Sequence, residues 1–173
     1  MGGDYMIRLM TSKQLFLEKF DREHQRTMRI LRAYPADKLD LKPQEAAKSA
    51  RELAWVFVLE TYLGTGVWRD AMIKGERREM PTQPEKWEDL LAAVERATAE
   101  YRSMIESTSD ADLEGVVHFF VGPKQMGEYT RIDFAWFLLF DQIHHRGQFS
   151  VYLRMSGAKV PSIYGPTADE PWR

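Results

Sequence analysis

The chain has 173 residues, of which 44% are hydrophobic and 29% charged, and this suits one globular domain rather than a disordered chain. Lysine and arginine number 24 and aspartate and glutamate 26, so the formal net charge is -2 and no excess of positive charge favours nucleic acid as a partner. Cysteine is absent, which excludes disulfides, zinc–thiolate sites and thiol nucleophiles.

The sequence also lacks the marks of membrane insertion and export. No apolar run approaches the roughly 20 residues that span a bilayer. The residues from Met1 to Met10 lack the basic and then apolar pattern of a signal peptide. We therefore expect one domain over residues 1–173, located in the cytoplasm, with neither a membrane nor nucleic acid as a partner.

Helical periodicity marks four long segments, which are residues 12–34, 44–63, 84–107 and 131–156. Capping signals precede three of them, namely Thr11 with Gln14, Thr82 with Glu85, and Thr130 with Asp133. Glycines interrupt the second segment or follow the fourth, at Gly64, Gly66 and Gly157.

The connections between these segments differ in character. Residues 67–83 indicate a helical turn and then a charged linker, and residues 109–113 another turn of helix. Residues 115–129 indicate an extended loop or a small hairpin, and 158–173 an extended tail. The pattern predicts an all-α fold, a four-helix bundle with a long crossover between helices 2 and 3.

Ionisable side chains occupy helix faces on which apolar residues belong. In the fourth segment one face carries, at steps of three or four, Phe134, Phe137, Asp141, His145, Gln148 and Tyr152. Glu60 lies on the apolar face of the second segment and His24 on that of the first. Burial of an unpaired carboxylate costs several kcal/mol, so these groups should pair, bind a cation or line a wet cavity.

Three interpretations of these polar residues stay open. In the first, Glu60, Asp141 and His145 converge on a divalent metal such as nickel, zinc, manganese or iron, as carboxylates and imidazoles do in other bundles. In the second, His145 or His24 pairs with Asp141 or Glu60 and no metal binds. In the third, Glu60 faces solvent.

The remaining histidines and aromatic residues give weaker signals. His144 lies one step off the polar face, and His118 falls in the uncertain segment, where a surface position is favoured. Aromatic residues cover two faces of the fourth segment, which indicates a central helix or one that packs against a second subunit.

The end of the chain resembles the last helix and tail of the DinB family, also called DinB/YfiT-like. The resemblance rests on the run from His144 to Gln148 (His-His-Arg-Gly-Gln), followed by Tyr152-Leu153-Arg154, Gly157, Val160-Pro161 and Ile163-Tyr164-Gly165. The run Ala50-Arg51-Glu52-Leu53-Ala54-Trp55 is similar to the opening of the family's second helix.

This resemblance implies a four-helix bundle that is commonly a homodimer. It also implies a three-histidine site for a divalent metal such as nickel or zinc. Members with known activity resemble thiol transferases that activate a low-molecular-weight thiol such as bacillithiol or mycothiol, and others act as isomerases or in stress responses.

The chain departs from the family pattern at the metal ligands. The final family histidine maps onto His145, its partner one turn earlier onto Asp141, and the histidine of the second helix onto Val56, or Trp55 after a shift of one residue. Loss of two imidazoles would remove most of the affinity for nickel or zinc, unless Glu60, one turn from Val56, substitutes as a harder ligand.

Three functions follow as hypotheses. The first is a DinB-like protein without the usual three-histidine site, which binds a small molecule or serves in a stress response. The second is a metal-dependent thiol transferase or hydrolase with Glu60, Asp141 and His145 as ligands. The third is a structural dimerisation module.

Overall fold

A computed structural model of the protein describes residues 10–172. Within this range there are five α-helices, a 3-10 turn at Ala36–Lys38 and one β-hairpin. The helices are α1 (Ser12–Arg32), α2 (Ala50–Trp68), α3 (Trp87–Ser107), α4 (Asp110–Leu113) and α5 (Arg131–Met155), and the strands are β1 (Val116–Gly122) and β2 (Gln125–Thr130). The four long helices confirm the predicted all-α fold.

The four long helices form a bundle in which α1 and α2 each pack against α3 and α5. Near the start of α2 and α3, Arg51 donates a hydrogen bond to the carbonyl of Pro84 (3.3 Å). At the other end, Trp68 Nε1 donates to Thr108 Oγ1 (3.1 Å). The two helices are therefore parallel, and the connection through residues 69–86 runs back along the bundle as the predicted crossover.

Two predicted helix starts are wrong. Helix α2 begins at Ala50 rather than at residue 44, because Ser49 and Glu52 form the capping box at its start. Helix α3 begins at Trp87, after Lys86, and no side chain caps it. The expected caps of α1 at Thr11 and of α5 at Thr130 are present.

The segment between α4 and α5 is a hairpin rather than a loop. Strands β1 and β2 pair antiparallel, with Val116 opposite Thr130 and His118 opposite Glu128. Val117 is buried with Val67 of α2 and Phe134 of α5, so the hairpin packs across the ends of these two helices.

Two glycines have roles opposite to those expected. Gly64 does not interrupt α2, which continues to Trp68, and a Cβ on it would lie 2.7 Å from Leu138 and 3.0 Å from Tyr101. Gly147 of α5, where a glycine in a helix would suggest a close approach of another helix, is exposed, and a Cβ there would meet nothing within 4 Å. Gly64 is therefore the residue that lets α2 approach α5 closely.

The buried face of α5 is rotated from the predicted one by about one residue. Phe137 is 38% exposed and Gln148 is exposed, whereas the most buried positions include Ala135, Leu138, Leu139, Arg146, Phe149 and Leu153. Asp141 and His145 lie at the edge of this face, where the core meets solvent. Within residues 10–172, no helix combines the length and apolar character needed to cross a bilayer.

Replacement of Gly64 by alanine should destabilise the bundle by about 1–3 kcal/mol, because the new methyl group overpacks the contact with Leu138. Gly147→Ala is the matched control on α5, and there the better helix propensity of alanine should stabilise by about 0.5–1 kcal/mol. Urea denaturation measures both changes. Equal effects of the two substitutions would contradict this account of Gly64.

Candidate metal centre

Glu60, Asp141 and His145 come together between α2 and α5. Asp141 and His145 are four residues apart and therefore lie one above the other on α5. Glu60 of α2 faces them, and one ligand atom from each of the three residues lies within 4.8 Å of the other two. The three side chains chosen from the sequence thus form one cluster.

His145 and Glu60 approach to hydrogen-bonding distance in this cluster, but without the alignment of a hydrogen bond. His145 Nδ1 lies 2.7 Å from Glu60 Oε1 and 3.8 Å from Asp141 Oδ1. Despite the short first distance, the groups are not aligned for a hydrogen bond. Among the described residues, neither Glu60 oxygen nor His145 Nδ1 has a hydrogen-bond partner, and all three atoms are buried.

Unpartnered buried carboxylate oxygens are unfavourable, because burial removes the water that would otherwise hydrogen-bond to them. Glu60 is only 7% exposed, so the interpretation that placed it in solvent is wrong. A cation between the three side chains would satisfy the Glu60 oxygens and the His145 nitrogen together. The donor set therefore fits a divalent metal.

The environment also changes how tightly these groups hold protons. Burial raises the pKa of Glu60 to about 7, although the neighbouring His145 acts in the opposite direction. The Glu60 carboxylate raises the pKa of His145, against the effect of its own burial. Without a cation, both groups hold a proton at higher pH than they would in water.

A cleft of about 430 Å³ opens beside His145. Its walls also include Ala47, Lys48, Leu53, Gln148, Val151 and Tyr152. Its volume is in the range of small-molecule sites. Because the cleft reaches the imidazole of His145, a small molecule in it would lie next to the cluster.

The other polar residues considered in the sequence lie elsewhere. His24 is half-buried on α1, where burial lowers its pKa and Glu95 is its largest charged influence. His144 is exposed, and its Nε2 lies 2.9 Å from Gln148 Nε2. Of the two histidines proposed as partners of Glu60, it is His145 that meets it.

Sequence reasoning missed a second buried ion pair, between Glu23 of α1 and Arg146 of α5. Arg146 is 3% exposed and its guanidinium lies 2.6 Å from Glu23 Oε2, while Tyr164 Oη donates to the same oxygen (2.5 Å). Burial raises the pKa of Glu23, but hydrogen bonds from Tyr164 and Arg146 outweigh this and lower it overall.

The partners of Glu23 are complete, so this ion pair is structural. It fastens the tail, through Tyr164, to the bundle. The signal that could have revealed it is the position of Arg146, seven residues before Leu153 and seven after Leu139 on the buried face of α5.

Comparison with known proteins identifies the family. A model of the DinB family matches residues 9–172. The chain belongs to the DinB family. In this DinB-family protein, two adjacent residues of the His144–Gln148 run make different contacts. His145 belongs to the candidate site, and Arg146 pairs with the buried Glu23.

Solved structures support the same fold. A DinB-like protein from Bacillus cereus ATCC 10987 has a TM-score of 0.67 at 22% identity, covering 86% of this chain and 95% of that one. A DinB-like protein from Bacillus subtilis has a TM-score of 0.67 at 18% identity, covering 86% and 96%. At these identities the likeness establishes the fold of the DinB-family chain.

The uncharacterised protein YrdA of Bacillus subtilis (strain 168) is 53% identical over 34 residues. This match covers 20% of each protein, so the chain spans about a fifth of that curated relative. The likeness is local, and because that relative is uncharacterised it gives no information on activity.

As pH rises from about 4.5 to about 7, the buried Glu60 carboxyl should make the metal-free protein less stable, and His145 should extend this loss to higher pH. Both pKa values are raised in the folded state, so the folded protein binds more protons, and this stabilisation is lost as pH rises through the folded pKa values. The Glu60 contribution approaches about 3 kcal/mol.

Urea denaturation at several pH values, in the presence of a chelator, compares the parent protein with Glu60→Gln. The difference between the two isolates Glu60 from His24, whose lowered pKa acts in the opposite direction. The variant should show a flatter decline, and His144→Gln should follow the parent. If Glu60→Gln has the same pH slope as the parent, the raised pKa is wrong.

Proposed function

We propose that this DinB-family protein binds a divalent cation between Glu60, Asp141 and His145, and that the bound cation acts on a small molecule held in the cleft beside His145. The observation that supports this most strongly is the buried Glu60 carboxylate, whose two oxygens lack hydrogen-bond partners among the described residues. A satisfied ion pair such as Glu23 with Arg146 leaves no such atoms.

The donor set favours an oxygen-preferring or borderline cation. Two carboxylates and one imidazole suit manganese or iron(II) better than three imidazoles would, zinc also accepts such a mixed set, and nickel is less favoured. Val56, at the position where the resemblance implies a histidine, is half-buried, and Glu60 lies one turn further along α2. We infer that the carboxylate takes the place of the missing imidazole.

The chain's own residues suit a reaction on a small molecule. When bound, a divalent cation lowers the pKa of a water or thiol next to it. Leu53, Val151 and Tyr152 offer apolar walls for the body of a ligand, and Lys48 and Gln148 add polar groups. The proposed activity is therefore a thiol transfer or a hydrolysis, and the thiol would be of low molecular weight.

The two alternative functions would use different parts of α5 and its surroundings. A DinB-like small-molecule-binding or stress-related protein without metal would keep a proton on the Glu60–His145 pair. A dimerisation module would use the exposed apolar side chains of α5, such as Phe140 (60%) and Val151 (55%). The homodimer and the cytoplasmic location stay predictions.

Elemental analysis of protein purified without a metal-affinity tag should find about one divalent ion per chain. Glu60→Gln, Asp141→Asn and His145→Gln should each weaken binding by at least about 100-fold, because each removes a ligand and outer partners alone contribute 10–100-fold. Calorimetric titration with manganese and zinc gives the affinities.

His144→Gln is the matched control, because His144 directly precedes His145 on α5 but is exposed and lies outside the cluster. It should leave the metal content and the affinity unchanged. A parent protein that binds no metal, or a His145→Gln variant that binds as well as the parent, would reject the metal site in favour of a metal-free protein.

Cobalt(II) substitution should separate the thiol and water alternatives. Addition of 2-mercaptoethanol to the cobalt-loaded protein should produce a thiolate-to-cobalt charge-transfer absorption in the near ultraviolet if a thiol reaches the ion. Val151→Trp narrows the cleft without removing a ligand, so it should weaken this response at least about tenfold while cobalt content stays constant.

The outcome decides between the two reactions. A parent protein that shows no response to the thiol would favour hydrolysis. A response that is equally strong in Val151→Trp would mean that the thiol approaches by another route, and the cleft would lose its proposed role.

A further inference from the structure

A second group of ionisable side chains lies where the hairpin meets the end of α2. We call Asp70, His118 and Glu128 the hairpin cluster. His118 is on β1, Glu128 is its direct partner on β2, and Asp70 follows the last residues of α2. Asp70 is ten residues beyond Glu60, which corresponds to roughly 15 Å along a helix, so the hairpin cluster is separate from the candidate metal centre.

Asp70 fixes both the backbone and the ring of His118. The backbone N–H of His118 donates to Asp70 Oδ1 (3.2 Å), and His118 Nδ1 lies 3.1 Å from the same oxygen and 3.3 Å from Oδ2. A carboxylate can only accept, so Nδ1 carries the hydrogen and donates to it. This leaves Nε2, on the other side of the ring, as the nitrogen that can bind a cation.

The backbone at Asp70 is in an unusual conformation. Its φ of 56° lies in the left-handed region, which is unfavourable for residues with a Cβ and is more often occupied by glycine. The amides of Asp70 and Ala71 bond back to Val67 and Gly66 and end the helix there. Glycine would serve this turn equally well, but it has no side chain to accept the hydrogen bond from the imidazole of His118.

The free face of His118 points towards a second carboxylate. His118 Nε2 lies 3.8 Å from Glu128 Oε1, which is too long for a hydrogen bond. Two ligands at 2.0–2.2 Å from a tetrahedral zinc ion lie roughly 3.4 Å apart, so the Glu128 oxygen would have to move by roughly 0.4 Å towards the ring to complete a tetrahedral angle. Glu128 is largely exposed, so its side chain can adjust and water can complete the coordination.

We propose that the hairpin cluster is a second divalent cation site, in which His118 Nε2 and a Glu128 oxygen bind the ion and Asp70 orients the imidazole. A carboxylate that accepts the other ring N–H is the usual arrangement behind a metal-binding histidine. The imidazole ligand selects zinc, copper(II) or nickel rather than magnesium or calcium. The bound ion would join β1 to β2 and, through Asp70, to α2.

The test uses the full chain with the first centre removed by the double substitution Glu60→Gln and His145→Gln. Zinc titration by calorimetry should still show one bound ion. The additional substitution His118→Gln should abolish this binding, because the amide cannot replace the imidazole nitrogen. Asp70→Asn, which suits the left-handed backbone, should weaken zinc binding 10–100-fold by loss of the orienting carboxylate.

NMR spectroscopy of the histidine rings provides a second measurement on the unsubstituted protein. Zinc should shift the Nε2 signal of His118 while its Nδ1 remains protonated, and Glu128→Gln should reduce the shift at a given zinc concentration. His144→Gln is the control for binding by exposed histidines and should change neither result. No saturable binding at millimolar zinc, or binding that survives His118→Gln, would overturn the proposal.

Discussion

The buried carboxylate of Glu60 constrains the whole α2–α5 interface. A charged carboxylate that leaves water loses several kcal/mol of solvation, and only a proton, an imidazolium or a cation can compensate it here. This requirement favours the contact of Glu60 with His145 at the interface of α2 and α5. Gly64, one turn further along α2, makes the approach possible because it brings no side chain against Leu138.

The comparison with Glu23 shows how the surroundings of the two buried carboxylates differ. Glu23 accepts hydrogen bonds from Tyr164 and lies against Arg146, so its charge is matched within the fold and its pKa is lowered. Glu60 has only the imidazole of His145 beside it, which supplies at most one proton. Burial therefore prevails and raises the pKa of Glu60. A complete set of partners makes a structural link, whereas an incomplete one leaves a place for a ligand.

Helix α5 serves both carboxylates through adjacent residues. Successive residues of a helix point about 100° apart, so His145 faces α2 while Arg146 faces α1. The same short run therefore contributes to the candidate site and to the anchor of the tail. The run at residues 144–148 therefore contacts two different helices through neighbouring side chains.

The sequence was sufficient for the features that depend on neighbours along the chain. Periodicity located the four long helices, and the spacing of Thr11 with Gln14 located the start of α1. It failed where two local signals competed, as at α2, where periodicity suggested a start at residue 44 but Ser49 with Glu52 determined it. The four-residue spacing of Asp141 and His145 placed them on one face without any knowledge of the fold.

What the sequence could not decide was distance between helices. The packing of the helices and the hairpin decides these contacts. It brings Glu60 against His145 rather than His24, and it buries Arg146 against Glu23. It also places Asp70 beside the ring of His118. A helical pattern gives the angle of a side chain around its own axis only to within about one residue, and α5 proved to be rotated by that amount. Local spacing thus determined which residues could meet, and only tertiary packing, through burial and the exclusion of water, decided which of them did.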